Sequence, residues 1–95
     1  MKYRKQILKG FQLLDKKKPG WKVDLRKLDM SDPCNCTVGQ NYPSFVNGLE
    51  NLGVLLRVVS HGFSFEDNSN YEGYVNGYSI LTKEVKILIK EWRKK

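Results

Sequence analysis

The sequence predicts a mainly α-helical fold, a small single-domain bundle with an N-terminal helix, kinked central helices and a C-terminal helix. Apolar residues recur every three or four positions in three separate segments, which is the spacing of one helix face. The 95 residues are enough for one compact domain, which we assign to residues 1–95. An apolar fraction of 40% supplies a modest core and argues against a disordered chain.

The N-terminal helix has the most regular pattern. Tyr3, Ile7, Phe11 and Leu14 follow one another at steps of four, four and three, and lysines occupy much of the remaining surface. Pro19-Gly20 then ends the helix. The next stretch, residues 21–28, fits both a short strand and a helical turn, so its type stays open.

The central stripe is the longest apolar pattern in the chain. It comprises Cys34, Val38, Tyr42, Phe45, Leu49, Leu52, Leu56 and Val59. Asp32 is suited to be the N-cap, and Pro33 to occupy the first helical position. Because Pro43 interrupts helical hydrogen bonding, the stripe predicts two or three helical pieces that keep one apolar side. Gly62 is expected in the left-handed conformation at the end of this region, with Phe63 packing back.

The C-terminal segment combines a turn signal with a helix signal. Asn76-Gly77 lies between apolar and aromatic neighbours, which predicts a short β-hairpin near residues 71–80. After it, residues 81–92 carry apolar side chains at helical spacing, and Ser79 or Thr82 would cap this last helix.

Positive charge is concentrated at the two ends of the chain, whose formal net charge is +7. Residues 1–18 hold seven basic residues and one acid, or +6, and residues 83–95 hold six and two, or +4. The segment between them holds four bases and seven acids, or −3. Such clusters attract phosphates and other anions, although lysines on the wet faces of two helices would also serve solubility alone.

The two cysteines are interpreted as structural. Cys34 lies on the apolar stripe and is expected to be buried, whereas Cys36 lies about 200° around a helix from it, so a disulfide between them is disfavoured. Together with His61, the single histidine, they fall one ligand short of a closed zinc site. We therefore predict no metal, no cofactor and no catalytic residues, with a cysteine–His61 enzyme as a less favoured hypothesis.

The candidate ligand-binding residues combine lysines with aromatic rings, because rings can stack on bases while lysines hold phosphates. They are Lys16, Lys17, Lys18, Trp21, Tyr71, Tyr74, Tyr78, Lys83, Lys86 and Lys90. The same tyrosines could anchor a protein interface or cover the small core.

Several short motifs run through the chain: Leu-Leu-Asp at 13–15, Pro-Gly-Trp at 19–21, Cys-Thr-Val-Gly-Gln at 36–40 and Tyr-x-x-Leu-Thr at 78–82. Asp24-Leu25 and Leu28-Asp29 complete the pattern. It resembles a family of small uncharacterised proteins encoded by bacteriophages and prophages, in which the recurrent cysteine corresponds to Cys36. The resemblance implies a small phage accessory protein, and such proteins often counter host defence.

The function expected from these observations is that of a non-enzymatic phage or prophage protein that binds an anionic target. The target would be a nucleotide messenger, a nucleic acid, or the nucleic-acid channel of a host effector such as a CRISPR nuclease. A module that inhibits a host protein through an apolar patch is the alternative, and a small DNA-binding regulator is less favoured because no helix-turn-helix signature is present. A homodimer is compatible with the modest core. No long apolar segment predicts a membrane span or a signal peptide, so we expect a cytoplasmic protein of the host cell.

Overall fold

The computed structural model describes residues 2–54, 61–63 and 71–93. These residues form three α-helices, which are α1 (Arg4–Lys17), α2 (Phe45–Leu52) and α3 (Tyr71–Arg93), and they form no strand. Both α2 and α3 contact α1. The prediction of a small, mainly helical domain is therefore confirmed.

Helix α1 buries the face that its apolar spacing predicts. Ile7, Phe11 and Leu14 are almost completely buried, and Tyr3 packs partly against the same core. The helix ends where the backbone N–H of Lys18 bonds to the Leu14 carbonyl, just before Pro19-Gly20. The first helix is thus confirmed in both its position and its inward face.

The start of α1 is capped from α3 rather than from its own sequence. The Tyr3 side chain makes no capping bond, and the first turn holds no acidic residue. Instead, the backbone N–H of Tyr3 donates to Oε1 of Glu84 at 3.1 Å. A carboxylate at a helix N-terminus satisfies an otherwise unpaired amide and interacts favourably with the helix dipole. The second Glu84 oxygen is buried and has no partner among the described residues.

The central stripe is split at Pro43 as predicted, but its first half, residues 34–42, folds as turns rather than as a helical piece, which corrects that part of the sequence prediction. Between Asp32 and Tyr42, helical hydrogen bonds occur only singly, for example from Cys36 N to Asp32 O at 2.9 Å. After Pro43, helix α2 begins at Phe45. The hydroxyl of its N-cap residue, Ser44, accepts a hydrogen bond from Asn47 N. Proline removes an amide donor and disfavours helix at the residue before it, so the two halves fold separately.

The far end of the stripe is described only in part. Helix α2 stops at Gly53, which adopts a left-handed φ of 72°. The last two predicted stripe positions, Leu56 and Val59, lie outside the described residues. Further on, Gly62 has the predicted left-handed φ of 69°, and Phe63 is buried as expected.

Helix α3 replaces the predicted hairpin, which is the second correction. It runs without interruption over 23 residues and includes all of 71–80. Its inward face includes the buried Gly77, Leu81, Val85 and Leu88. Packing of this long face outweighs the local turn preference of Asn76-Gly77, because tertiary contacts routinely override propensity.

The predicted caps of the last helix are also corrected, since both residues lie inside α3. Ser79 is exposed in the helix, and Thr82 has a tertiary role. The Thr82 hydroxyl accepts a hydrogen bond from the backbone N–H of Met30 at 3.0 Å, which ties the loop after α1 to α3.

Side-chain amides organise the irregular chain between α1 and α2. Oε1 of Gln40 accepts from Asp24 N at 2.7 Å, and its Nε2 donates to Asn35 O at 2.9 Å. Asn41 accepts from Lys22 N in the same way. Residues 21–28 are therefore neither strand nor helix: the Gln40 and Asn41 side chains pair with their backbone in place of a neighbouring strand.

Candidate anionic-ligand surface

The C-terminal ends of α1 and α3 meet at Asp15. The Trp21 indole N–H donates to Asp15 Oδ1 at 2.8 Å, and the Trp92 indole N–H donates to Oδ2 at 2.9 Å. One carboxylate thus joins α1, the loop that follows it and the last turn of α3. We call this arrangement the Asp15 junction.

Aromatic packing supports the Asp15 junction from the inside. The Phe11 ring lies 5.1 Å from the Trp21 ring and 5.7 Å from the Trp92 ring, measured between centroids. Tilted and edge-on aromatic pairs at these separations are favourable. The Phe11 ring and the Asp15 carboxylate, one helical turn apart on α1, therefore hold both indoles, and the C-terminal ends of α1 and α3 stay together.

Basic side chains surround this junction. We define the basic end as the cationic residues at the ends of α1 and α3 and in the adjoining loop, which are Lys16, Lys17, Lys18, Lys22, Lys90 and Arg93. Five of them are exposed and Lys18 is half-buried. None of them forms an ion pair within the described part of the chain. Their charges are therefore available to an external anion, in addition to complementing the two helix dipoles.

Lys18 has an internal contact that orients it. Its ammonium group lies 4.8 Å from the centroid of the Tyr42 ring, which is a cation–π distance. This contact links the end of α1 to the loop before α2. Lys22 and Arg93 were not among the residues singled out from the sequence. Lys22 is held at the basic end by the hydrogen bond from its backbone N–H to Asn41, and Arg93 is held there because it follows Trp92 in α3. No local sequence pattern predicts either placement.

Among the aromatic residues expected to bind ligand, Trp21 lies at the basic end, but its ring is not available there. Trp21 is only 9% exposed and belongs to the core, so its ring offers little surface for stacking. Tyr78 is half-buried against the core. Tyr71 and Tyr74 lie in the first turn of α3, and Tyr71 is about 28 Å along the helix axis from Lys90 at 1.5 Å per residue.

The remaining predicted lysines extend the positive surface along α3. Lys83 is exposed and Lys86 is half-buried. Together with Lys90 they recur at steps of three and four, so they follow one side of the helix away from the core. The basic surface is therefore a band along α3 that ends at the Asp15 junction.

The two cysteines have the reverse of the burial that the stripe predicted. Cys34 is exposed, whereas Cys36 is 1% exposed. Asp32 accepts from Cys34 N at 2.8 Å and turns the chain, and Gly39 N donates to the Cys36 sulfur at 3.3 Å. Burial raises the pKa of the Cys36 thiol, so it remains protonated and is a poor nucleophile. The prediction from the stripe was wrong for the two cysteines because it assumed a regular helix through Cys34, where the chain forms turns.

His61 and the acidic loop residues are also used by the fold. The His61 ring stacks on Phe63, and its carbonyl lies directly against Gly10 of α1. Asp24 and Asp32 each accept a backbone hydrogen bond from two residues further on, and these bonds lower the pKa of both carboxyls. Within the described residues, no three histidine, cysteine or acidic side chains come together as metal ligands would.

A small cleft lies between α1 and α3 beside the junction. It has a volume of about 80 Å³ and is lined by Arg4, Leu8, Leu88, Glu91 and Trp92. Arg4 and Glu91 form an ion pair of 3.4 Å across it. Pockets for small organic ligands usually measure about 300–1,000 Å³. The cleft is therefore too small to enclose a nucleotide.

Comparison with known proteins gives no relative: no protein-family model, curated protein or solved structure matches this chain. Across the described residues, no helix combines the length and the apolar character that crossing a membrane requires.

Proposed function

We propose that this chain is a non-enzymatic binding protein whose basic end engages an anionic macromolecule, with nucleic acid as the first candidate. The observation that carries the proposal is the Asp15 junction. It brings the basic C-terminal ends of α1 and α3 together, although about 70 residues separate Lys18 from Lys90.

The character of this surface favours a macromolecule over a nucleotide messenger. Most of the basic side chains are exposed on the outside of two helices and a loop, and the adjacent cleft is too small for a nucleotide. Charges spread along a helix suit a phosphate backbone, in which each contact adds a small, salt-sensitive increment. They suit a nucleic-acid channel of a CRISPR-type effector less well, because such channels are themselves positively charged.

A role without catalysis is supported by the burial of one of the two thiols and by the packing of the single histidine. Cys36 is buried and its raised pKa keeps it protonated, and His61 packs its ring on Phe63. The resemblance to phage and prophage proteins adds the biological setting: we propose that binding counters a defence system of the host cell.

The proposal predicts a salt-dependent affinity that depends on where charge is removed. A fluorescently labelled 20-nucleotide single-stranded DNA would be titrated with the full chain between 50 and 300 mM salt, with binding followed by anisotropy. In the double variant Lys16→Gln/Lys17→Gln, we expect weaker binding and a slope of log affinity against log salt that is shallower by about 1.4, which is two phosphate contacts.

The matched control is Lys2→Gln/Lys5→Gln, which removes the same charge from exposed positions at the opposite end of α1. It should keep most of the affinity and the slope. Equal losses in the two variants would show that net charge alone governs binding, and the proposed site would be wrong. Salt-independent binding, or none, would contradict the electrostatic mechanism itself.

An acidic protein surface is the second candidate target. Ile80 and Ile87 are 41% and 48% exposed on α3, within the band that carries Lys83 and Lys90. A phosphate backbone offers no apolar partner for isoleucines spaced two helical turns apart. These two side chains therefore favour a protein as the partner of the α3 part of the surface.

A further inference from the structure

We propose that the outer face of α3 docks an acidic amphipathic helix of another protein. This inference deepens the second candidate function and rests on it. It starts from Ile80 and Ile87, which are two of the three large apolar side chains exposed in the described part of the chain. They are seven residues apart and therefore lie on the same side of α3, about 10 Å from each other.

Lysines complete a regular seam with these isoleucines. Ile80, Lys83, Ile87 and Lys90 follow at steps of three, four and three, which is the repeat by which one helix packs along another. The methylene groups of the two lysines extend the apolar surface, while their ammonium groups reach its edges. We call these four residues the α3 seam.

Acidic residues near the seam are already engaged elsewhere. Glu84 accepts a hydrogen bond from the Tyr3 backbone, and Glu91 pairs with Arg4 at 3.4 Å. Lys86 and Arg93 lie on the opposite side of the seam and add positive charge. The α3 seam therefore combines two exposed isoleucines with a surplus of positive charge.

Charge complementarity identifies the occupant. Self-association through the seam would bring the positive charges of Lys83 and Lys90 from two copies together, so it is opposed by repulsion. A helix with leucines at heptad spacing and glutamates beside them satisfies both the isoleucines and the ammonium groups. Because the seam covers only about three helical turns, the complex would be of the small, transient kind.

Two synthetic peptides test this proposal with the full chain. The first has three heptads with leucine at a and d and glutamate at e and g, which also hinders its self-association. The second has the same composition in a scrambled order without heptad spacing. At 150 mM salt, anisotropy of labelled peptides should show at least tenfold tighter binding of the heptad peptide.

Matched variants distinguish binding through the isoleucines of the α3 seam from attraction by positive charge alone. Ile80→Ser/Ile87→Ser should weaken binding of the heptad peptide at least tenfold, whereas Val46→Ser, at an exposed position on α2, should leave it unchanged. A thermal melt of each variant confirms that it is folded. If both peptides bind equally, or if the double serine variant binds as the native chain does, the inference is overturned.

The proposed binding of nucleic acid would still stand, because it is measured with DNA and the lysine variants. If neither peptide binds, the inference is also overturned. If the chain in addition fails to bind the DNA, the proposed nucleic-acid function is wrong too.

Discussion

Asp15 is the residue with the most tertiary consequences in this chain. Its carboxylate accepts from two indoles that lie 71 positions apart in the sequence, and one of them, Trp21, is buried. A carboxylate can accept two such bonds at once, one on each oxygen, whereas an amide offers only one oxygen. The charge is therefore less important here than the two acceptor atoms.

The variant Asp15→Asn is expected to destabilise the fold. It leaves one indole N–H without an acceptor, which costs about 1–3 kcal/mol when the group is buried. Removing a negative charge from the end of a helix recovers only about 0.3–1 kcal/mol. Urea unfolding followed by tryptophan fluorescence measures the difference. Glu50→Gln, at an exposed position on α2, is the control, and equal midpoints for the two variants would contradict the role of the junction.

The two cysteines should differ sharply in reactivity. Cys34 is exposed, whereas Cys36 is buried with a raised pKa, so a thiol reagent at neutral pH should modify one cysteine quickly and the other only on unfolding. Counting modified thiols over time, with and without denaturant, checks this. Cys34→Ala should abolish the fast reaction, and a fast reaction that survives this change would contradict the assignment.

At the scale of elements, the sequence predicts α1 because its helix signal, its stop signal and its inward face agree. It predicts the other elements less well because their signals conflict. Pro43 separates Tyr42 from Phe45, and spacing alone does not reveal that the first half becomes turns held by Gln40 and Asn41. Asn76-Gly77 is a strong local turn signal, but the packed face from Gly77 to Trp92 prevails. The Asp15 junction was not predictable either, since it joins residues that no local pattern relates.

Gly10 of α1 lies in close contact with the backbone of His61 and the ring of Phe63. At an exposed helical position, replacing glycine by alanine stabilises a protein by about 1 kcal/mol. Here the new methyl group would overlap the His61 carbonyl oxygen and crowd the Phe63 ring at 3.2 Å. Gly10→Ala should therefore destabilise the fold by about 1–3 kcal/mol. Thermal or urea unfolding would show this, with Gln12→Ala, at an exposed position on α1, as control; a stabilised Gly10→Ala protein would contradict the packing described.

At the scale of the whole molecule, charge and fold support the same interpretation. The +6 and +4 segments could be read from the sequence, but their meeting could not, because it depends on Trp21 and Trp92 sharing one carboxylate. The lysines and the aromatic residues of the predicted site differ in where the fold places them. Most of its lysines are exposed on the surface that we propose binds an anion, while Trp21 is core and Tyr71 lies far along α3 from Lys90.

The measurement that tests this account most directly is a titration of the ¹⁵N-labelled chain with the 20-nucleotide DNA, followed by backbone and indole amide resonances. If one basic end binds the anion, resonances of residues 16–22 and 90–93 should shift together and saturate at the same DNA concentration. The indole signals of Trp21 and Trp92 should move with them. Shifts confined to one of these segments, or centred on residues 2–9, would contradict the account.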